Sequence, residues 1–199
     1  MRLGFDLDEV VVDLTARYEE YLATAYDIKW PAECFVSYSF GSCLFDPKDK
    51  ENNQKIIDDM LYRITQPDFM SEAAPYGEAV SVLTELKRRG HKIYFITSRP
   101  KQLQPDTFKW LRKHGIPFDG LKVLGKKIPK GVYGRNLHLD MFVDDLPENL
   151  ESMWKFKRRW RKGLLLLDRP WNKGKLDGTR FKRMNDWQDI LRHVGVQNR

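Results

Sequence analysis

The sequence predicts an α/β fold, in which a Rossmann-like parallel sheet has helices on both faces and a small helical cap follows the first strand. Strand-like and helix-like segments alternate along the chain, as they do when helical crossovers join parallel strands. The 199 residues, 41% of them hydrophobic, suit one domain of ordinary size with an inserted subdomain. Polar side chains also follow several strand candidates, and ligands of such sheets gather at the carboxyl ends of the strands.

The first predicted strand, residues 2–7, leads directly into a region without strand patterns. In that region TARYEEYLATAYDI and NQKIIDDMLYRI repeat apolar residues at helical spacing, and the less regular WPAECFVSYSFGSCLFDP lies between them. We therefore assign residues 14–73 to a helical cap and residues 1–13 and 74–199 to the α/β core.

The core continues with alternating helices and strands. PYGEAVSVLTELKRRG is typical of a helix that ends near Gly90, and KIYFIT of the strand that follows it. The later predicted elements, in chain order, are a helix in TFKWLRKHGIPF, a strand LKVLG, a short helix opening at PKGVYGRNL, a strand MFVDD, a helix from about Pro147 and a last strand LLLLD.

Composition argues against a membrane protein. No run approaches the ~20 apolar residues that cross a bilayer, and the start MRLGFDLDEV lacks the apolar segment of a secretory signal. Cys34 and Cys43 are too few for a disulfide framework and lack metal-ligand spacing. We therefore expect a reducing, cytoplasmic setting.

The net charge of +7 is concentrated late in the chain. Residues 1–150 hold 21 Lys and Arg against 23 Asp and Glu, whereas residues 151–199 hold 14 against 5. The basic region 154–183 could bind nucleic acid, because WKFKRRWRKG interleaves aromatic and basic side chains. The alternative is a helix that packs an apolar stripe and turns its basic side chains to solvent. Either way, the charge would steer phosphorylated substrates toward the protein.

Carboxylates follow two of the strands at positions that predict a metal site. Asp6 and Asp8 follow the first strand, and Asp144 and Asp145 end MFVDD. Converging carboxylates repel one another unless a cation lies among them, and Mg²⁺ accepts a few carboxylates together with water and phosphate oxygens. We therefore predict Mg²⁺ held by Asp6, Asp8 and Asp145, with Asp144 in a supporting part.

These groups could together hydrolyse a phosphate ester. Asp6 could attack phosphorus, while Asp8 could protonate the leaving oxygen and later deprotonate the attacking water. Thr97, the last residue of KIYFIT, and Ser98, which follows it, offer hydroxyls and backbone amides to the phosphate. The alternative for each of these residues is a plain capping role at a turn or a helix start.

Two basic residues could add to a phosphate cradle. Lys130 begins the helix that leads into MFVDD, where a lysine would add charge to the favourable helix dipole. Lys126 and Lys127 are alternatives for the same part, and a surface position for Lys130 is also open. Arg99 could clamp the substrate or lie on the surface.

Four short segments resemble the motifs of the haloacid dehalogenase superfamily of phosphohydrolases, and they follow one another along the chain in the same order as in that superfamily. DLDEV resembles the nucleophile motif, FITSRP the phosphate-binding Thr/Ser motif and FVDDLPEN the acidic metal motif, and Lys130 stands where the lysine motif is expected. The resemblance spans most of the chain. It implies a magnesium-dependent phosphohydrolase with an aspartyl-phosphate on Asp6.

Within that superfamily, the chain is most similar to the 5'(3')-deoxyribonucleotidase group. The similarity lies in DLDEVVVD, in the cap after it, in PYGEAVSVLTELKRRGHKIYFITSRP, and in LLLLDRPWNK followed by RMNDWQDI. That group often has an aromatic residue eight positions after the nucleophile, where this chain has Leu14. Phe40 stands where a base-stacking aromatic residue of the cap is expected, so the resemblance implies that it binds the substrate.

The sequence thus predicts hydrolysis of a (deoxy)nucleoside monophosphate. Another phosphate ester, either a phosphosugar or a polynucleotide end, is an alternative substrate. A nucleic-acid-binding protein with an idle fold of this type is an alternative of another class, although an idle site would not need Asp6, Asp8, Thr97 and Asp145. The cap follows the nucleophile strand, so we expect it to close over the site. The sequence makes no prediction of the oligomeric state.

Overall fold

The computed structural model describes residues 1–30, 43, 45–46, 48–156, 160–174 and 180–195. Its helices and strands, in chain order, are β1 Arg2–Phe5, α1 Leu14–Tyr26, α2 Lys50–Arg63, α3 Pro67–Glu72, α4 Gly77–Arg88, β2 Lys92–Thr97, α5 Gln104–Lys113, β3 Gly120–Val123, α6 Lys130–Asn136, β4 Met141–Asp144, α7 Pro147–Phe156, β5 Gly163–Leu167, β6 Phe181–Met184 and α8 Trp187–Gly195. Short 3-10 helices precede α5 and follow β5.

In the part of the chain that the structure describes, six strands form one parallel sheet in the order β3-β2-β1-β4-β5-β6. The strand β1 lies near the centre, where Leu3 pairs with Ile93 of β2 on one side and with Met141 of β4 on the other. Strands β2 and β3 lie on one side of β1, and β4, β5 and β6 lie on the other. Where the strand order reverses in this way, a crevice forms at the carboxyl ends of the strands. The predicted α/β architecture is therefore confirmed.

Apolar residues cover both faces of the sheet. Helices α4, α5 and α8 contribute to a core on one face, which includes Phe5 and Phe95 of the central strands. Helix α7 packs on the other face, with Phe142 of β4. Because both faces are covered, the strands read as nearly continuous apolar runs, which is what made four of them visible in the sequence.

Helices α1, α2 and α3 have an apolar cluster of their own, which also takes in Leu103 from the segment before α5. The two segments that join these helices to the sheet run side by side: Asp13 N donates to Ala74 O at 2.9 Å, and Tyr76 N donates to Val11 O at 2.9 Å. The cap boundaries predicted from the sequence fall in these paired segments.

Two elements, β6 and α8, and the disulfide of Cys43 differ from what the sequence predicts. Strand β6, FKRM, is a short edge strand with two basic residues, so it lacks the apolar run of the central strands. Helix α8 buries Trp187, Ile190 and Val194 at helical spacing, a pattern that is present in the sequence and was overlooked. Cys43 is buried and disulfide-bonded, which the low cysteine count did not predict.

In the described ranges, no helix combines the length and the apolar character that crossing a bilayer requires.

Candidate active site

Three neighbouring strands deliver the predicted site residues to one edge of the sheet. Asp6 directly follows β1, Thr97 ends β2, and Asp144 ends β4. The backbone N–H of Asp6 donates to Val143 O at 2.9 Å, so the chain keeps its register with β4 one residue beyond the strand. All three side chains are buried.

Three carboxylates converge at this edge. Oxygen atoms of Asp6, Asp144 and Asp145 all lie within 4.8 Å of one another, and all three residues are buried. Burial raises the pKa of Asp6 to about 7, with the Asp144 and Asp8 charges adding to the rise and Lys130 opposing it. Burial also raises the pKa of Asp145, and the charges of Asp144 and Asp6 act in the same direction. The cluster therefore resists holding three negative charges without further cations.

Lys130 supplies one cation from within the fold. Its Nζ lies 2.8 Å from Asp6 Oδ1 and 2.8 Å from Asp144 Oδ2, and the residue is only 2% exposed. Burial by itself lowers the pKa of Lys130, but the charges of Asp144 and Asp6 raise it well above its usual value, so the ammonium stays charged. The alternatives Lys126 and Lys127 are exposed.

Close helix packing places Lys130 at this position. It is the first residue of α6, and α6 lies tightly against α7. A Cβ added at Gly131 would stand 2.3 Å from Ser152 O, so only glycine allows this approach of the two helices. Gly131 thus allows the close packing of α6 and α7 that buries the Lys130 ammonium.

Asp144 and Asp145 differ in how their oxygens are used. Asp144 Oδ1 accepts hydrogen bonds from Leu146 N and Asn149 Nδ2, both at 2.9 Å, and Oδ2 accepts from Lys130. Asp145 Oδ2 accepts from Trp171 Nε1 at 2.8 Å, whereas its buried Oδ1 has no hydrogen-bond donor among the described residues. A buried carboxylate oxygen without a donor fits a cation ligand, so the residues present suit a divalent metal.

Asp8 stands apart from this cluster. Arg99 Nε donates to both carboxylate oxygens of Asp8 at 3.0 Å, and Arg99 Nη1 donates to Thr107 Oγ1 at 3.2 Å. Arg99 is 5% exposed, so the alternative of a surface position is wrong. The structure pairs Asp8 and Arg99 with each other, and the metal role of Asp8 and the substrate role of Arg99 stay predictions.

The two predicted hydroxyl residues lie at the carboxyl end of β2, where Thr97 is the last strand residue and Ser98 follows it. Thr97 Oγ1 accepts a hydrogen bond from Arg99 N at 3.2 Å, so this hydroxyl also shapes the turn. Ser98 is half-buried. Phe40, the residue expected to stack on a base, lies outside the described residues.

Trp171 and Asn172 are functional candidates that the sequence analysis did not single out. The indole of Trp171 orients Asp145 as described above. Asn172 Nδ2 donates to the backbone oxygens of Asp145 and Leu167, both at 2.8 Å, and the residue is fully buried. Both residues belong to the DRPWN segment, which was noted for its family resemblance only.

We expect Trp171→Phe to weaken Mg²⁺ binding by about tenfold, because phenylalanine keeps the apolar ring but loses the donor that orients Asp145. The measurement is the Mg²⁺ concentration that gives half of the maximal thermal stabilisation. Trp154→Phe, at a half-buried tryptophan of α7, should leave this concentration unchanged. Wild-type Mg²⁺ dependence in Trp171→Phe would contradict the positioning role.

Glu9 is a buried acid at the base of the cap. It adopts a left-handed backbone with φ of 60°, and its carboxylate accepts hydrogen bonds from Thr15 Oγ1 and Tyr76 OH, both at 2.9 Å. These partners lie on the outgoing and the returning cap segments, so one carboxyl group ties both to the core. Burial raises the pKa of Glu9 to about 7, although the two hydroxyls oppose the rise.

This raised pKa predicts a pH-dependent stability. The unfolded chain releases the Glu9 proton near pH 4.5, whereas the folded protein holds it until about pH 7. Stability is therefore unaffected below pH 4.5 and falls as the pH rises toward 7. We expect Glu9→Gln to be more stable than the wild type by about 3 kcal/mol at pH 8 and by less than about 1 kcal/mol at pH 5.

The measurement is urea unfolding without divalent ions at the two pH values. Glu19→Gln, at an exposed position of α1, should match the wild type at both. Equal effects of Glu9→Gln at pH 5 and pH 8 would contradict the raised pKa.

The fold and the strand-end cluster define a class of protein. A haloacid dehalogenase-like hydrolase of Streptococcus pneumoniae shares the fold, with a TM-score of 0.61 over 97% of each chain at 16% identity. A D,D-heptose 1,7-bisphosphate phosphatase of B. bronchiseptica, solved with magnesium and phosphate, gives a TM-score of 0.52 over 98% of each chain at 10% identity. The chain therefore has the haloacid dehalogenase-like fold.

The family of the chain follows from the sequence comparisons. The profile of the family described as "5' nucleotidase, deoxy (Pyrimidine), cytosolic type C protein" matches residues 1–199. A candidate nucleotidase of Oceanobacillus iheyensis is 30% identical over 206 aligned residues, which cover 97% of this chain and 98% of that protein. The chain belongs to this 5'-nucleotidase family, and the resemblance stated from the motifs is confirmed.

Proposed function

We propose that the protein is a magnesium-dependent phosphomonoester hydrolase that acts on (deoxy)nucleoside monophosphates through an aspartyl-phosphate on Asp6. The observation that carries this proposal is the buried group of Asp6, Asp144, Asp145 and Lys130 at the carboxyl edge of the sheet. Such a group concentrates a nucleophile, a cation and metal ligands at one point. The family match to 5'-nucleotidases supports the substrate class.

In the first step, an oxygen of Asp6 attacks phosphorus and the bond from phosphorus to the ester oxygen breaks. Asp8 gives its proton to the departing oxygen, and then takes a proton from the water that attacks the aspartyl-phosphate. The second attack releases inorganic phosphate and restores Asp6. Arg99 holds the Asp8 carboxylate through two oxygens, so Asp8 has to leave Arg99 and take a proton from solvent before it can serve as the acid of the first step.

Asp6 and Asp145 are the carboxylates that we assign to Mg²⁺. The ion, when bound, would neutralise the phosphate charge and present phosphorus to Asp6. Asp8 was also predicted as a ligand, but its carboxylate is engaged with Arg99, so we assign its side chain to proton transfer alone. Asp144 keeps its supporting part by holding Lys130 in place.

The phosphate oxygens have three further partners in this proposal. Lys130 provides a fixed positive charge, and Thr97 and Ser98 offer donors from the loop after β2. Because Lys130 is already held by two carboxylates, its position requires no reorganisation when the phosphate arrives. This pre-organisation is the electrostatic part of the proposed catalysis.

The cap provides the remaining wall of the substrate site. Its paired linkers begin within a few residues of Asp6 and Asp8, so a rotation about them would move the cap over the strand ends. We propose that closure excludes water during the first step and admits it for the second. Phe40 is the proposed contact to the base. The cytoplasm is the proposed setting because the matching family is described as cytosolic, whereas the disulfide of Cys43 argues against the reducing environment expected from the cysteine count.

Phosphate release from a panel of esters, with and without Mg²⁺, tests the function. We expect activity on deoxynucleoside monophosphates in the presence of Mg²⁺, at least tenfold lower activity on phosphosugars and on 5'-phosphorylated oligonucleotides, and loss of activity with chelator. A preference for either alternative substrate would replace the nucleotide assignment. No release from any ester, together with tight oligonucleotide binding, would favour the idle nucleic-acid-binding alternative.

A further inference from the structure

The DRPWN segment, residues 168–172, contacts both the candidate active site and the base of the cap. Two of its side chains, as described above, donate hydrogen bonds to Asp145. A third, that of Arg169, donates through Nε to Glu9 O at 2.7 Å. Because Asp145 follows β4 and Glu9 lies in the loop after β1, this segment after β5 connects the chain beyond two other strands.

Arg169 contacts both segments that lead to the cap. On the outgoing segment, it binds the backbone oxygen of Glu9. On the returning segment, the Tyr76 ring lies against its guanidinium, with 4.6 Å between Cζ and the ring centroid. The Tyr76 OH also donates to Glu9 Oε2 at 2.9 Å. Arg169, Tyr76 and Glu9 therefore contact one another pairwise, and they join the two cap linkers at one point.

Hydrogen bonds within the segment fix Arg169 relative to Asn172, one of the two residues that hold Asp145. Arg169 N donates to Asn172 Oδ1 at 3.2 Å. Arg183 of β6 donates through Nη1 to Asn172 Oδ1 at 2.7 Å and to Asp168 Oδ1 at 2.6 Å. The segment is therefore braced from outside as well as from within, so a displacement at one of its ends is passed to the other.

A purely structural anchor is the simpler account of Arg169. A guanidinium that satisfies one carbonyl and stacks on one ring would hold the cap linkers without any connection to the site. The contacts of Asn172 argue against this account, because one side-chain amide binds both Arg169 N and the backbone oxygen of Asp145. Two sites that share a stiff connector influence each other reciprocally.

We propose that Arg169 is a positioning residue that couples the orientation of Asp145 to that of the two cap linkers. A divalent ion that fixes Asp145 thereby also stabilises the paired linkers, and a closed cap stabilises the position of Asp145. A ligand that is held in place beforehand lowers the cost of binding. The coupling stands on the contacts above, whereas its consequence for the ion rests on the proposed function.

The indole N–H resonance of Trp171 tests the coupling in metal-free protein, because this group donates to Asp145 Oδ2. Tyr76→Leu removes the ring beside the guanidinium at a half-buried position. We expect this substitution to shift the Trp171 resonance when Arg169 is present, since the guanidinium loses its support and the segment moves with it. In the Arg169→Met background, Tyr76→Leu should leave the resonance in place. A shift that is equally large in both backgrounds, or absent from both, would overturn the proposal.

Amide hydrogen exchange tests the coupling in the opposite direction. The Asp13 N–H and the Tyr76 N–H hold the two linkers together, so their exchange rates report how often the linkers separate. We expect saturating Mg²⁺ to slow both rates at least about fivefold in the wild type and less than about twofold in Arg169→Met. Methionine can still pack on the Tyr76 ring but has no donor for Glu9 O. Equal slowing in the two proteins would overturn the proposal.

Lys173→Met is the matched control, because it removes an exposed cation directly after the same segment. In this background Tyr76→Leu should still shift the Trp171 resonance, and Mg²⁺ should slow the linker amides as in the wild type. Loss of both responses in Lys173→Met would overturn the assignment to Arg169. A wild type that binds no Mg²⁺ would contradict the proposed function, and the metal-free measurement would then decide the coupling by itself.

Discussion

Asp6→Asn is expected to lower phosphatase turnover by at least about 10⁴-fold, because an amide cannot form the aspartyl-phosphate. The variant should still fold. Its side chain keeps the same shape, and the loss of one carboxylate relieves repulsion from Asp144 while Lys130 keeps its pair with Asp144. The measurement is the rate of phosphate release from a deoxynucleoside monophosphate at saturating Mg²⁺, alongside thermal unfolding.

A matched control distinguishes the effect of losing the nucleophile from the effect of losing a negative charge elsewhere. Asp58→Asn removes an exposed carboxylate of α2, and it should retain the wild-type rate. Rapid quenching should trap a phosphorylated wild-type enzyme and no phosphorylated Asp6→Asn. Turnover of Asp6→Asn within tenfold of the wild type would exclude the covalent route.

Lys130→Met is expected to lower the free energy of unfolding by about 3–5 kcal/mol at pH 7.5 without divalent ions. Methionine fills a similar volume, so the loss reports charge and not a cavity. Without the ammonium, the buried carboxylates of Asp6 and Asp144 have lost their shared cation. Urea unfolding measures the effect, and Mg²⁺ should recover part of it by placing a new cation in the cluster.

The two neighbouring lysines provide the controls for this substitution. Lys126→Met and Lys127→Met, both at exposed positions, should each change the free energy of unfolding by less than about 0.5 kcal/mol. Their turnover should equal that of the wild type, whereas Lys130→Met should lose at least about 10²-fold in turnover. Wild-type stability of Lys130→Met would contradict the buried ion group.

The central part of the fold could be predicted because its strands are buried on both faces. KIYFIT and LLLLD are apolar runs whose length and flanking residues mark them as strands. The edge strand β6 has one neighbour and carries Lys182 and Arg183, so its sequence has no such run. Local pattern therefore predicts the central strands well. Of the two edge strands, it predicts β3 from LKVLG and misses the basic β6.

The site could be predicted in part for a related reason. Parallel strands bring their carboxyl ends to one edge of the sheet, and β1 lies beside β4, so Asp6 converges with the Asp144–Asp145 pair. The pairing of Asp8 with Arg99 spans 91 residues, and that of Asp145 with Trp171 spans 26. Such pairings depend on how loops pack against one another in the folded chain. The spacing of residues along the sequence does not predict that packing.

The central claim is that Asp6 and Asp145 share one divalent ion at the carboxyl edge of the sheet. The most direct test is an anomalous difference map from crystals soaked in Mn²⁺, which replaces Mg²⁺ at oxygen sites. The account predicts one strong peak about 2.1 Å from a carboxylate oxygen of each residue. A map with no peak between these two carboxylates, or with its strongest peak elsewhere on the protein, would contradict it.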